Sequence, residues 1–251
     1  MDGPFVTAIS MQLQFSVDRC RASSLMNNKV HSFVINGVSI EVADMPNSIS
    51  PLIIAGELLA DCYGLNRIDF QPGDVIIDIG AHIGMFAIYT ALRLPHVVIH
   101  AFEPFPENFA RLKENLDRNG ITTVRIHHQG VTGDGRLLEM VTSPLNSGGS
   151  TCHSRTLEHG RITGIPSTTL DQIFESLGVD KCKLLKIDCE GSEYEILFST
   201  HSLSKVEYLS GEFHYNQLLR EQGYSVEGLL QHCESQIAPN KLSVKTTNIR
   251  E

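Results

Sequence analysis

Two short stretches of this sequence place acidic and imidazole side chains directly after apolar runs. LLKIDCEGSEYEIL, positions 184 to 197, carries Asp188 and Glu190; GEFHYN, positions 211 to 216, carries Glu212 and His214. If each apolar run is a strand, all four side chains stand where strands leave a sheet and face one cleft. Groups of these types can take a proton as a general base. They can equally hold a divalent cation that acts as a Lewis acid. The sequence leaves that choice open, although oxygen ligands favour magnesium over zinc. The structural alternatives are that the carboxylates, Glu190 above all, cap the helix starting near Ser192, and that His214 braces the sheet.

A second constellation is DVIIDIGAHIG, positions 74 to 84, followed by HAFEP at 100 to 104. Asp78, Gly80 and Gly84 surround the end of a buried strand, and Gly80 permits a tight turn and close approach of a ligand. Glu103 ends the next strand, where a carboxylate can accept hydrogen bonds from both hydroxyls of an adenosine ribose. The dinucleotide fingerprint G-x-G-x-x-G is absent, since the loop reads G-A-H-I-G. A pyrophosphate site wants more glycine and a helix N-terminus aimed at the phosphates. The nearby acid Asp78 suits a cationic ligand better, and S-adenosylmethionine carries a sulfonium and an ammonium but no phosphate.

The elements that must position these residues follow from periodicity. HSFVINGVSIEVAD, from His31, predicts a hairpin about Asn36-Gly37, and Ile53 to Tyr63 predicts a helix. Continuous β-branched runs predict buried strands at 75–79, 97–102, 124–128, 183–187 and 206–213, with a last strand at 242–247. Helices are expected at 84–94, 106–119, 169–177, 192–198, 217–222 and 226–233, the third of these opened by a Thr169-x-x-Gln172 capping box. Arg136 to Thr142 reads as a strand added to the sheet edge, and Ser143 to Gly164 as a surface loop. Alternating strands and helices predict an α/β fold: a Rossmann-like, doubly wound, mostly parallel sheet with an antiparallel C-terminal strand, plus an N-terminal hairpin and helix. Residues 1–70 form an N-terminal extension on the substrate side, and residues 71–251 the main domain.

Composition limits the partners. The chain has 251 residues, 41% hydrophobic and 20% charged, which suits a globular protein. Its formal charge of −9, with no Lys/Arg cluster, argues against nucleic acid and anionic membrane as partners. No apolar stretch approaches the length of a membrane span, and the start of the chain is a poor signal peptide; a cytoplasmic protein is expected. Cys20, Cys62, Cys152, Cys182, Cys189 and Cys233 form no CxxC pair and no zinc-ligand spacing, so reduced thiols and no zinc are expected.

From about Val38 to His214 the sequence resembles the FkbM-type methyltransferases, within the class I group that uses S-adenosyl-L-methionine. The resemblance rests on the glycine loop, on AFEP-x-PEN-x-x-x-L-x-x-N from Ala101, on STTLDQI from Ser167, on LLKIDCEGSE from Leu184 and on GEFH. His82 stands where the family usually has Asn. The resemblance implies that Asp78, Gly80, Ala81, His82 and Gly84 surround the methionine end of the cofactor and that Glu103 holds its ribose. It places Pro104 and Phe105 beside the adenosine, and Gly130 and Val131 beside the adenine. It also implies O-methylation of a hydroxyl on a sugar or small natural product, with Asp188, Glu190, Glu212 and His214 at the reacting end. Two other readings are a nicotinamide-dependent oxidoreductase on the same topology and a non-catalytic binding domain. The missing third glycine counts against the first; the acids Asp78, Glu103 and Asp188 count against the second.

Overall fold

The computed structural model describes residues 28–141, 147–149, 151–152 and 161–248. Cys20, the first 27 residues and much of the stretch from Ser143 to Gly164 lie outside the described residues.

Six strands form the central sheet: β3 (Val75–Ile79), β4 (Val98–Phe102), β5 (Val124–His127), β10 (Cys182–Ile187), β11 (Val206–Tyr215) and β12 (Leu242–Asn248). Their spatial order is β12-β11-β10-β3-β4-β5, and every neighbouring pair is parallel. Strand order reverses between β3 and β10, so the ligand-binding crevice is expected beyond the carboxyl ends of those two strands. The C-terminal strand was expected to be antiparallel; instead Leu209 to Tyr215 pairs in parallel with Leu242 to Asn248. The reason lies in the connection. Helices α6 (Gln217–Glu221) and α7 (Val226–Glu234) return the chain to the starting edge of the sheet, and a crossover of that length permits a parallel neighbour.

Strands buried on both faces read as continuous apolar runs. Alternate side chains of β3 and β10 then enter different cores. Ile76 and Leu184 pack with α2 (Met85–Arg93) and α3 (Pro106–Arg118), while Ile77, Leu185 and Ile187 pack with α4 (Leu170–Leu177), α5 (Glu193–Ser199) and α7. The Thr169–Gln172 capping box opens α4 as expected.

The hairpin of β1 (Lys29–Ile35) and β2 (Val38–Asp44) turns at Asn36 and Gly37, both with positive φ. Its residues Phe33, Ile35, Ile40 and Val42 enter the same core as Ile76. The outer edge of β2 is satisfied by side chains: buried Asn115 accepts from the Ala43 N–H at 2.7 Å and donates to the Ala43 carbonyl at 3.1 Å. Helix α1 (Ser50–Leu59) follows, with Pro51 in its first turn. Strand β7 (Leu138–Val141) does not extend the main sheet edge. It pairs antiparallel with β8 (Arg161–Ile165) in a separate ribbon. The short strands β6 (Gly130–Val131) and β9 (Ser167–Thr168) form another pair. No helix among the described residues is long and apolar enough to cross a membrane.

Candidate active site

One cavity of about 390 Å³ opens over the carboxyl ends of β3, β4, β10 and β11. Of the residues singled out in the sequence, Gly80, Ala81, His82, Glu103, Pro104, Gly130, Val131, Asp188, Glu190, Glu212 and His214 line it. Asp78, Gly84 and Phe105 do not, and each has another task.

Asp78 is fully buried beneath the loop, 3.1 Å from the Lys186 ammonium on the neighbouring strand. Burial pushes its carboxyl above the usual carboxylate range, with Lys186 opposing. Lys186 also donates to the Gly80 carbonyl at 2.7 Å, so this pair fixes the loop from below. Gly84 starts α2 with φ +91, and a Cβ there would lie 2.4 Å from Leu112. Gly80 has φ +78, and its Cβ would come within 1.8 Å of the Asp188 carbonyl oxygen. Glycine is therefore required at position 80 by the close approach of the β10 end as well as by the turn.

Four of the loop N–H groups are already bonded within the protein. Gly80 and Ala81 donate to the Phe102 carbonyl at 3.1 and 2.9 Å, Gly84 to the Ala81 carbonyl at 2.9 Å, and His82 to Glu103 Oε2 at 2.8 Å. A phosphate site needs such groups pointing at the ligand; these point into the protein. Glu103 Oε1 accepts from the Phe105 N–H at 2.9 Å. The Phe105 contribution is thus its backbone, which orients Glu103. Burial nonetheless pushes the Glu103 carboxyl up to about 7, against the lowering effect of those two N–H donors. Each oxygen accepts two bonds comfortably, so this carboxylate can still accept from hydroxyl donors of a ligand.

Beside it, the neutral His82 ring stands in the left-handed region at φ +54, and burial lowers its pKa to about 4. Its Nε2 lies 2.7 Å from Ser147 Oγ, which donates to the fully buried Asp44 at 2.7 Å. Hairpin, glycine loop and the turn at 147–149 are joined at this point.

Asp188, Glu190, Glu212 and His214 converge, as expected of side chains at neighbouring strand ends. His214 Nε2 lies 3.9 Å from Asp188, 3.8 Å from Glu190 and 3.9 Å from Glu212. Glu190 does not cap α5. The helix has no side-chain cap at its N-cap Ser192; fully buried Glu193, in its first turn, instead accepts from the Cys189 and Gly191 N–H groups at 2.8 and 3.0 Å and from His214 Nδ1 at 3.0 Å. Burial alone would lower the His214 pKa, but Glu193, with Glu190 and Asp188, raises it to about 10. With no cation between them, the surrounding carboxylates favour the protonated ring, which weakens the case for His214 as a general base and leaves the carboxylates for that role. Burial pushes Glu190 up to about 8, with His214 opposing. Glu212 is already committed, 2.6 Å from Lys245 and hydrogen-bonded by Thr247.

Sequence reading missed Lys186, Glu193, Ser147 and Asp44. A lysine inside the buried run KLLKI was the one available signal among them.

A family model described as the methyltransferase FkbM domain matches residues 78–235. The 31-O-demethyl-FK506 methyltransferase FkbM of Streptomyces tacrolimicus is 44% identical over 66 residues, 26% of this chain and 25% of that protein. The hexuronic acid methyltransferase AglP of Haloferax volcanii is 32% identical over 145 residues, 57% of each. The matches thus span a quarter and somewhat over half of those relatives' lengths. A solved structure of precorrin-6y C5,15-methyltransferase from Geobacter metallireducens covers 74% of both chains at 14% identity, with a TM-score of 0.44.

Proposed function

The chain belongs to the methyltransferase FkbM family, and from that premise we propose that it is an S-adenosyl-L-methionine-dependent O-methyltransferase acting on a small polyhydroxylated acceptor. The observation that carries this reading is Glu103. Its carboxylate is buried, held by two backbone N–H groups and part of the cavity lining, with acceptor capacity left for two ribose hydroxyls. The glycine loop argues in the same direction, because the N–H groups of Gly80, Ala81, His82 and Gly84 are bonded within the protein rather than offered to a pyrophosphate.

When bound, the cofactor supplies a methyl group on a sulfonium, already activated toward displacement. The chain must then place an acceptor oxygen in line with the carbon and sulfur, which by itself removes much of the barrier. A carboxylate of the cleft would take the proton that the acceptor hydroxyl gives up. Glu190 is suited to receive it, since its raised pKa brings proton affinity near neutrality. Pro104, Gly130, Val131, Leu138 and Met140 form the apolar wall expected of an adenine pocket.

The N-terminal extension supplies the acceptor side. Ser50, Ile53, Ile54 and Glu57 of α1, together with Tyr63, line the same cavity. Glu57 also pairs with Lys245 beside Glu212. AglP is named for a hexuronic acid and FkbM for 31-O-demethyl-FK506, which supports a sugar or natural-product hydroxyl as acceptor. The test is release of S-adenosylhomocysteine when the protein is supplied with S-adenosylmethionine and a panel of uronic acids, neutral sugars and polyketide alcohols. Turnover confined to hydroxyl acceptors is expected. Turnover only with amines or thiols would overturn the O-methylation reading.

A further inference from the structure

Resting on the proposed methyl transfer, we infer that Asp188, Glu190 and His214 form a binding site for a divalent metal ion of the manganese type at the acceptor end of the cavity. One ligand atom from each of the three lies within 4.8 Å of the others. The separations from His214 Nε2, 3.8 and 3.9 Å, are too long for hydrogen bonds. They are close to what an ion with bonds of about 2.0–2.2 Å to both partners requires. Asp188 and Glu190 are about a quarter exposed, at 27% and 25%, so their side chains can rotate to close the remaining gap.

A second observation is the histidine itself. His214 is 4% exposed, and its Nδ1 is engaged by Glu193 at 3.0 Å. Its Nε2 faces the carboxylates and makes no hydrogen bond among the described residues. A carboxylate on the far nitrogen of a ligating histidine fixes the tautomer and points the near nitrogen at the metal. Glu193 does more than this, because the same carboxylate holds the Cys189 and Gly191 N–H groups on either side of Glu190. Glu190 itself stands in the left-handed region at φ +55. Side chains other than Asn, Asp and Gly seldom adopt that conformation without a compensating constraint. Thr151 adds one by donating to the Glu190 carbonyl at 2.6 Å. Glu193 is thus a positioning residue for two of the three ligands.

The ligand set chooses the ion. Two carboxylates alone favour magnesium, but an imidazole nitrogen shifts the preference toward first-row transition ions. Manganese accepts both. Glu212 stays outside the set because Lys245 and Thr247 already occupy it. An ion held here would lower the pKa of an acceptor hydroxyl bound to it, so that its proton is lost more readily.

The experiment is titration of the full-length purified protein with Mn²⁺, following the free ion by electron paramagnetic resonance, with Mg²⁺ and Zn²⁺ as competitors. One equivalent should bind per chain. His214→Ala and Glu190→Gln should each weaken binding at least tenfold, and Glu193→Gln should weaken it about 10- to 100-fold. Glu193→Gln and His214→Ala touch a buried pair and can damage folding. Glu190→Gln changes a partly exposed carboxylate and keeps the test decisive if the others unfold. The proposal fails if none of the three ions binds stoichiometrically at millimolar concentration, or if Glu190→Gln binds Mn²⁺ as tightly as wild type. Titration with S-adenosylhomocysteine on the same samples separates the two readings: cofactor binding without metal binding sinks only the metal site, and the reverse sinks only the methyl-transfer reading.

Discussion

Glu103 shows how one carboxylate is made to wait for a ligand. Its two N–H donors hold it in place, yet burial keeps its pKa near 7. Hydroxyl donors from a ribose stabilise the ionised form, each charge-assisted bond being worth roughly 1.5–3 kcal/mol. Glu103→Ala should therefore weaken S-adenosylhomocysteine binding by at least about 100-fold in calorimetric titration. Wild-type affinity in that variant would remove the ribose assignment. The sign of the pH dependence follows. Ligand binding favours the deprotonated carboxylate, so affinity is full above the free-protein pKa and falls as pH drops through about 7. Between pH 8 and pH 6 the affinity should fall roughly tenfold, and Glu103→Gln should flatten that dependence.

These strand-end acids were legible because each follows a continuous apolar run. Asp44, Ser147 and Glu193 were not, because their importance lies in partners far along the chain or in which of several neighbouring acids turns inward. The Asp44–Ser147 bond joins residues 103 positions apart, and IDCEGSE offers three acids for two tasks.

Among the elements, those with a local code were read correctly. The Asn36-Gly37 turn and the Thr169 capping box each follow from residues a few positions apart. The direction of β12 and the partner of β7 are set by tertiary packing, and there local pattern was no guide. The two classes of feature should also respond differently to mutation. Thr169→Ala removes a helix cap at a residue outside the cavity lining and should cost about 1 kcal/mol while leaving S-adenosylhomocysteine affinity unchanged. Gly80→Ala forces a Cβ against the Asp188 carbonyl and strains a positive φ. It should reduce both melting temperature and ligand affinity, since the loop and the end of β10 must move apart. Thermal melts paired with ligand titration distinguish the two cases, and equal behaviour of the variants would contradict this assignment.

At the scale of the molecule, the hairpin, α1 and the sheet share apolar contacts. Ile40, at 1% exposure, belongs to the cluster that contains Ile76 and Leu184. Truncating such a side chain typically costs about 2–5 kcal/mol through lost burial and the cavity left behind. Ile40→Ala should therefore lower the single melting transition of the whole chain rather than release a separate early one; two resolved transitions in scanning calorimetry would show that the hairpin unfolds alone.

The proposal that this cavity takes an S-adenosyl nucleoside without a pyrophosphate is tested most directly by isothermal titration calorimetry with S-adenosylhomocysteine, NAD and NADP in turn. The expected result is saturable, one-to-one binding of S-adenosylhomocysteine that depends on Glu103, with no binding of either dinucleotide. Binding of NAD or NADP, with none of S-adenosylhomocysteine, would contradict it.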